Sequence, residues 1–355
     1  MKFTNKLFIF ILSALFITSA PIPAAARQNV SPPPELTVNE AVNRAMQRSS
    51  ELKTINENIE LIDMKRPLLA ESATDPLNPL IVASGAAYMQ AEMQRASMSG
   101  SAATMRQIIE MSIIRYFSTV VLVERDLELY DINLGLTKKN IEIMKVRAEL
   151  GHISISAYET AKIDYEKALA NRAEKQKTAD EAYRALNQVM GAGLENKYQL
   201  ILDIEYKQLK ERNLTGYIGD SVKNSRKIKD KEYELQIAEY NERHHNGSGS
   251  AEERTITVEQ IKREIAEIKK DLEEKLRASY NDIKSLQLAY EINMMELGGM
   301  YMQLEIKKTQ LELGRITRLD VDAYEYQIAL LEYRISAQVY EHYLSVMQFE
   351  NPELL

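Results

Sequence analysis

ELGHIS, residues 149–154, and ELGRIT, residues 312–317, are two versions of one short motif that recurs after 163 residues. Both lie in a part of the chain that has no proline between Pro79 and Pro352, where long helices are favoured. Gly151 and Gly314 can each take the left-handed conformation that satisfies the last carbonyls of a helix. The motif therefore predicts two places where a long helix stops.

A second helix is expected to start directly after each glycine. Thr317 suits the N-cap of that helix, and Asp320 follows three residues later as the acid of a capping box. In the first copy, Ser154 or Ser156 is the candidate cap. Each motif is thus predicted to be the tip of a hairpin of two antiparallel helices.

The segments around the tips have helical periodicity. We predict helices over about 103–150, 156–190, 217–243, 257–313 and 319–349, the fourth opened by a capping box at residues 257–260. Apolar residues in the fourth helix alternate in steps of three and four, which is typical of a coiled coil. They are Ile261, Ile265, Ile268, Leu272, Leu276, Tyr280, Ile283, Leu286, Tyr290, Met294, Leu297, Tyr301, Leu304 and Leu311.

The N-terminal part of the chain has weaker signals. A capping box at residues 37–40 predicts a helix that runs to about Arg66, because Pro67 follows. Residues 67–102 are rich in Pro, Gly, Ser and Ala and predict a partly ordered connection. Residues 200–206 alternate in part and predict a short strand.

The first 26 residues are typical of a secretory signal. Lys2 and Lys6 precede an apolar run, and cleavage is expected after Ala26, although an uncleaved N-terminal anchor is the alternative. No later segment reaches the roughly 18 apolar residues of a membrane helix. We therefore predict an exported protein of the cell envelope.

Composition and motifs exclude several classes of function. The net charge of −7 becomes −9 once the two signal lysines are removed, which argues against a nucleic-acid partner. The chain has no cysteine and four histidines, and it carries no hydrolase, metalloprotease or phosphate-binding motif. His244 and His245 fall in a Gly/Ser-rich loop without nearby acids. We predict neither an enzyme nor a cofactor or metal.

The two tips belong to a duplicated pattern. Each half of the chain has a short capped helix, a connection, a very long helix, a tip and a return helix, so the sequence predicts an all-α fold of two tandem repeats. We place the signal at 1–26, the first repeat at 27–193, a mixed connecting region at 194–215 and the second repeat at 216–355.

This order of motifs resembles the TolC-like outer-membrane efflux proteins. The segments that carry the resemblance are LTVNEAVNRAMQRSSELK (36–53), GHISISAYETAKIDYEKALANRAEKQKTADEAYRALNQVMG (151–191) and GRITRLDVDAYEYQIALLEYRISA (314–337). The resemblance implies a homotrimer whose helices form a hollow α-barrel. It also implies that the tips meet a periplasmic adaptor, which is coupled to an ABC-type or proton-driven pump.

The resemblance also assigns roles to residues at the tips. Asp320 falls where the family has one of two acids that narrow the aperture, whereas the position of the second acid holds Ala323. The adaptor-contacting residues that it implies are Leu150, Gly151, Ser154, Leu313, Gly314 and Thr317. Read without the resemblance, Asp320 is a helix-capping acid, and both roles are compatible.

The chain departs from the family at the membrane strands. The family inserts two strands between the short and long helices of each repeat, and each strand needs about 9–11 alternating residues. Residues 241–254 are polar and glycine-rich, and 67–102 do not alternate clearly. We therefore expect a divergent relative with little or no membrane β-barrel. The leading hypothesis is a duct for efflux or secretion; the alternative is a coiled-coil structural protein of the envelope that does not transport.

Overall fold

The computed structural model describes residues 33–75, 80–202, 204–244 and 249–355, so the predicted signal, 1–26, lies outside the described residues. Within them the chain is almost entirely helical, and its elements form two runs in the same order: strand, short helix, helix, very long helix, return helix. The first run is β1 (Glu35–Thr37), α1 (Val38–Arg48), α2 (Ser50–Thr74), α3 (Ile81–Glu149) and α4 (Ile155–Met190). The second is β2 (Gln199–Ile201), α5 (Leu214–Asn224), α6 (Arg226–Arg243), α7 (Ala251–Glu312) and α8 (Arg318–Glu350), followed by a 3-10 turn at Pro352–Leu354.

The two longest helices, α3 and α7, run through both halves of the molecule. In the half that carries the tips, α3 packs against α4 and α8, and α8 packs against α7, giving a layer in the order α4–α3–α8–α7. In the other half, α2 and α6 replace α4 and α8, and the order is α2–α3–α6–α7. We call these the tip half and the arm half. Both end in α7 on one edge of the layer.

The two runs meet at the middle of the molecule. β1 and β2 pair in parallel, with Leu36 opposite Leu200, so the start of one run is bonded to the start of the other. Leu36 is fully buried there in a cluster that includes Phe117 of α3 and Leu186 of α4. The predicted strand at 200–206 is therefore present but shorter, and its partner strand was not predicted.

Two predicted boundaries in the first helix were wrong. The helix that starts at the residue 37–40 capping box stops at Arg48, and Ser49 then caps α2 through a bond from the Leu52 amide. Pro67 lies inside α2 instead of ending it. Ion pairs to α3 hold this part of α2: Arg66 contacts Glu92 at 2.6 Å, and Asp63 contacts Arg95 at 2.6 Å. Packing against a neighbour thus outweighs the hydrogen bond that proline removes.

The predicted connection over 67–102 was also wrong, because α3 begins at Ile81. Its small residues serve close helix packing. A Cβ on Gly85 would lie 2.8 Å from the Tyr240 hydroxyl oxygen of α6, and one on Gly100 would lie 2.1 Å from Cδ of Arg226. Glycines that read as loop signals in the sequence are therefore contact points between α3 and α6.

The second run differs from its prediction at two helix starts. Helix α7 begins at Ala251, capped by Ser250 with Glu253, and Thr257 lies within it, donating to the Glu253 carbonyl. The predicted helix over 217–243 is two helices, α5 and α6, which meet at Ser225. The coiled-coil seam predicted for α7 is confirmed in part: seven of its fourteen residues are buried, and four more pack half-buried against the apolar clusters, whereas Met294 and Tyr301 are exposed. The buried seven are Ile261, Ile265, Leu272, Leu276, Ile283, Leu297 and Leu304.

Candidate functional site

The first tip has the geometry that its glycine predicts. Gly151 has φ 72°, its amide donates to the Ala148 carbonyl at 3.0 Å, and the His152 amide donates to the Arg147 carbonyl at 2.8 Å. These two bonds close the end of α3 in a Schellman motif. Ser154, not Ser156, caps α4, because its side chain accepts from the Ala157 amide at 3.1 Å.

The second tip repeats this geometry and adds an acid. Gly314 has φ 68°, and the Gly314 and Arg315 amides donate to carbonyls of the last turn of α7 at 2.9 and 2.8 Å. Thr317 and Asp320 form the predicted capping box, in which the Asp320 carboxylate accepts from the Thr317 amide at 2.8 Å. The corresponding residue of the first tip is Ala157, which cannot complete such a box.

The two tips lie side by side at one end of the molecule. Lys139 of α3 donates to Asp322 of α8 at 2.9 Å, and Arg318 contacts the other oxygen of the same carboxylate at 2.6 Å. Burial alone would raise the pKa of Asp322, but the hydrogen bonds from Lys139 and Arg318 lower it below its ordinary value. Bonds from the Thr317 hydroxyl and backbone likewise lower the pKa of the exposed Asp320. Both acids are therefore charged at neutral pH.

Several exposed apolar side chains surround the tips. Leu150 and Leu313 precede the two glycines and are 68% and 62% exposed, and Ile155 is 70% exposed at the start of α4. Val146, one turn before Leu150, is also exposed. Large apolar side chains at the end of a narrow element, without a neighbour to cover them, are typical of a contact surface.

A second exposed apolar surface runs along α7, on the side away from α8. Its members fall in two rows of heptad spacing, the second interrupted by Gly299, and each is between 49% and 70% exposed: Leu288, Met295 and Met302 in one row, and Ile292 and Ile306 in the other. We call these five residues the α7 outer stripe. Because the buried seam of α7 faces α8, α7 carries coiled-coil-like faces on two opposite sides, only one of which is packed.

The comparison with solved structures supports this architecture. No family model and no curated protein matches the sequence. The fold, however, matches the outer membrane channel OprN with TM-score 0.66 over 89% of both chains, at 10% identity. It matches the outer membrane protein VceC of Vibrio cholerae with TM-score 0.63 over 90% of this chain and 97% of that one, at 13% identity. The chain has a TolC-like fold.

A further TolC-like match is the Campylobacter jejuni outer membrane channel CmeC, with TM-score 0.60 and 10% identity over 95% of this chain and 94% of that one. OprN and CmeC are outer membrane channels, which is consistent with the prediction that the chain is not an enzyme. Within the described residues, no helix is long and apolar enough to cross a membrane.

The TolC-like structure brings all seven sequence-predicted site residues to one end. Leu150, Gly151 and Ser154 form the first tip, and Leu313, Gly314 and Thr317 form the second, with Asp320 directly after it. Sequence reasoning missed Lys139 and the α7 outer stripe. The stripe was visible as a second heptad pattern in α7, displaced from the seam, whereas the Lys139–Asp322 pair joins residues too distant in sequence to be associated by spacing.

Proposed function

We propose that the chain is one subunit of a homotrimeric helical duct for efflux or secretion in the cell envelope. In this proposal, the tips dock onto a periplasmic adaptor, and an inner-membrane pump supplies the energy. The resemblance in sequence motifs and the TolC-like fold support this function. The observation that carries it is a helix–helix contact that the duplication requires and that one chain leaves unmade. We call the contact between the long helix of one repeat and the return helix of the other a joint.

The joint follows from the duplication. Inside the chain, the long helix of the first repeat, α3, packs against the return helix of the second, α8. The matching joint would place the long helix of the second repeat, α7, against the return helix of the first, α4. One chain cannot make this contact, because α4 and α7 lie on opposite edges of its own layer. A neighbouring copy supplies the missing helix.

The α7 outer stripe lies where this second joint requires an apolar face. Met302 is the repeat equivalent of Lys139, since both tips are related by 163 residues, and Lys139 contacts α8 in the first joint. Leu129, the equivalent of Ile292, is almost fully buried in α3, whereas Ile292 is half exposed in α7. The same position is thus covered in one repeat and open in the other.

The facing edge of α4 offers a matching surface. Glu159, Ile163 and Ala170 of α4 are the repeat equivalents of Asp322, Tyr326 and Tyr333 of α8, and all three are exposed. Ala170 is much smaller than Tyr333, and Gly299 lies midway between Ile292 and Ile306 on the same face of α7, so the two helices can approach closely. Repeating the joint around a ring closes a tube, and the resemblance implies three copies.

The tips then form one open end of the tube. Their exposed leucines, Leu150 and Leu313, are held outward by glycine turns of identical geometry, and each copy contributes two tips. Six similar apolar turns around a ring suit a partner that presents helical hairpins between them. Asp320 follows the second tip only, so a trimer carries three such acids; we propose that they lie at the aperture in addition to capping α8.

The mass of residues 27–355 in solution, measured by light scattering after size exclusion, tests the ring. We expect a trimer for the native chain and loss of the trimer for Met302→Glu, because it places a carboxylate in an apolar joint and beside Glu159 of the neighbouring copy, where like charges repel. Gln303→Glu is the matched control, since it adds the same charge to the next residue, which is exposed and is not one of the five stripe residues. The control is expected to remain a trimer.

A stable monomer of the native chain at high concentration would contradict the self-assembled duct and favour the structural coiled-coil protein instead. Equal effects of Met302→Glu and Gln303→Glu would show that the stripe is not the joint. The adaptor contact has its own test, a photo-cross-linking residue placed at Leu313 in the source organism. We expect it to capture an adaptor encoded with a pump, and a residue at Tyr233 of α6 to capture none.

A further inference from the structure

A polar layer interrupts the seam between α7 and α8. On its arm side lies a cluster that includes Ile283 and Phe349, and on its tip side lies a cluster that includes Leu297 and Ile335. Between them, Gln287 and His342 are each 3% exposed, and their Nε2 atoms are 3.3 Å apart. The sequence pattern predicts Leu286 at this level, so the buried amide and imidazole take a place that an apolar pair would fill.

The connector between β2 and α5 closes over this layer. Tyr206 stacks on Tyr290 of α7 with ring centroids 3.7 Å apart, and its ring centroid lies 4.9 Å from that of His342. Three residues further along the connector, Leu209 is buried in the arm-side cluster. One aromatic side chain therefore holds the connector against both helices at the level of the polar layer.

The hydrogen bonding in the layer is incomplete. With His342 neutral, its Nε2 accepts from the Gln287 amide group, which leaves the Gln287 Oε1 atom buried. Among the described residues, neither this oxygen nor the buried Tyr206 hydroxyl has a hydrogen-bond partner. Unpaired polar atoms raise the free energy of a buried layer. The difference in free energy between this closed arrangement and an open, hydrated one is therefore small.

The charges around His342 do not stabilise a proton on it. Burial lowers its pKa below the ordinary value of 6.5, and no charged group contributes to the shift. The groups that contact it, Gln287 and the phenol of Tyr206, are neutral. Among the described residues, the charged groups close to this level are Arg115 on α3, Glu205 and Lys207 on the connector, Lys284 and Glu291 on α7, and Glu341 on α8; Lys284 is half-buried, and the others are exposed.

We propose that His342, Gln287, Tyr206 and Tyr290 form a proton-operated clasp, in which protonation of His342 releases the connector and loosens α7 from α8 between the two apolar clusters. A protonated imidazole places a positive charge where no carboxylate of the described residues faces it, and hydrating that charge requires water to enter the seam. The Tyr206 ring covers the route by which water reaches the layer, so it is displaced. This inference concerns one chain and does not depend on the proposed duct.

The direction of the pH effect follows from the lowered pKa. The loosened or unfolded chain binds a proton near the ordinary histidine pKa, whereas the closed clasp binds it only at lower pH. The closed form is therefore fully favoured above about pH 6.5 and becomes less favoured as the pH falls toward the pKa of the closed form. Acid opens the clasp, and return to neutral pH closes it.

Spin labels on introduced cysteines test the clasp, and the absence of native cysteine makes the labels unique. One pair, Glu296→Cys with Arg334→Cys, spans α7 and α8 on the tip side of the layer. A second, Lys207→Cys with Glu341→Cys, spans the connector and α8. The labelled chain is diluted with unlabelled chain, and interspin distances are measured at about pH 7.5 and about pH 5. We expect longer and broader distributions for both pairs in acid.

His342→Gln keeps a side chain that can form hydrogen bonds but does not titrate. We expect this variant to abolish the acid-induced change in the interspin distances. His152→Gln is the matched control, because His152 is exposed at the first tip, and it should leave the change intact. Gln287→Glu supplies the missing counter-charge and should keep the clasp closed at about pH 5. Distances that do not change in acid, or a change that survives in both His342→Gln and Gln287→Glu, would overturn the proposal.

Discussion

Glycines with the same chemistry have opposite roles in this chain. Gly151 and Gly314 end α3 and α7 at positive φ, where an L side chain is strained. Gly135 lies in the interior of α3, and nothing in the described structure comes within 4 Å of where its Cβ would be. The first pair is required by the tips, whereas the interior glycine only costs helix stability.

Alanine substitutions separate these two roles. Gly314→Ala is expected to lower the free energy of unfolding by roughly 1–2 kcal/mol, because the tip needs the left-handed conformation. Gly135→Ala should raise it by roughly 0.5–1 kcal/mol, since alanine favours the helix and meets no neighbour. Urea denaturation followed by circular dichroism measures both. A loss of stability in both variants would contradict the open space beside Gly135.

The ion pair between the repeats should respond to pH. Asp322 has a lowered pKa, so its contribution to stability is present above its ordinary value of 3.8 and is lost as the pH falls toward the pKa in the folded chain. We expect Asp322→Asn to cost on the order of 1 kcal/mol at neutral pH, because Lys139 is largely exposed and the pair is screened. In acid, the free energies of unfolding of the variant and the native chain should become equal, and urea denaturation at each pH measures them.

Asp164→Asn is the control for this ion pair, because Asp164 and its partner Lys167 are both highly exposed on one helix. It should change stability by at most about 0.5 kcal/mol. An equal effect of the two asparagine variants would show that the pair between α3 and α8 adds nothing beyond an ordinary surface contact.

The local structure of the second tip could be predicted from the sequence alone. Gly314, Thr317 and Asp320 lie within seven positions, and their turn and capping box follow from backbone conformation and hydrogen-bonding capacity alone. Lys139 and Asp322 are 183 positions apart, and no local rule brings them together. The same limit applies to His342 and Gln287, whose burial depends on how two helices face each other.

At the level of elements, the two repeats differ by one heptad in the arm half. Helices α2 and α3 have 25 and 69 residues, whereas α6 and α7 have 18 and 62, so each helix of the second arm is seven residues shorter. Seven residues turn an α-helix by nearly two whole turns and shorten it by about 10 Å. Each shorter helix therefore ends facing almost the same direction, and a similar turn can join the pair.

Shortening the first arm tests whether the heptad is the unit of change. Deleting 68–74 from α2 together with 81–87 from α3 should preserve a cooperative fold, because both helices end at almost their original orientation. Deleting five residues from each, 70–74 and 81–85, rotates each end by about 140° and should disrupt the turn. Helix content and urea unfolding compare the two. Similar behaviour of both variants would show that the turn does not constrain the arm.

Sequence rules failed for the arm elements for a definite reason. Pro67, Gly85 and Gly100 are local signals for loops, but each lies in a helix whose neighbours determine the outcome. Glycines allow α6 to approach α3 closely, and ion pairs hold α2 against α3 across Pro67. The three-residue strand β1 is too short to give a pattern, and its pairing with β2 joins distant parts of the chain.

At the scale of the whole molecule, the duplication makes one joint inside the chain and leaves its counterpart open. The first joint contains the contact between Lys139 of α3 and Asp322 of α8. In the second, Met302 of α7 and Glu159 of α4 occupy the equivalent places, and both are exposed. If copies assemble through this joint, these two residues from adjacent subunits must lie as close together as the observed pair.

Chemical cross-linking tests this spacing. Because the chain has no cysteine, Met302→Cys combined with Glu159→Cys provides the only thiols, and a short bis-maleimide joins thiols on neighbouring subunits. We expect covalent dimers and trimers on a denaturing gel, with no larger species, since a ring of three has no free edge. The control combines Gln303→Cys with Glu159→Cys, because position 303 lies about 100° around α7 from Met302 and should react less well.

The largest product distinguishes the possible assemblies. A heterologous contact that fails to close continues into a filament, so a ladder beyond the trimer would contradict the ring while retaining the joint. Products of similar yield from both cysteine pairs would indicate random collision. The absence of any cross-linked product would show that the open edges of α4 and α7 do not meet. The α7 outer stripe would then need a different partner. A ladder that stops at three requires both edges of every copy to be filled, which is the geometric condition for a closed tube.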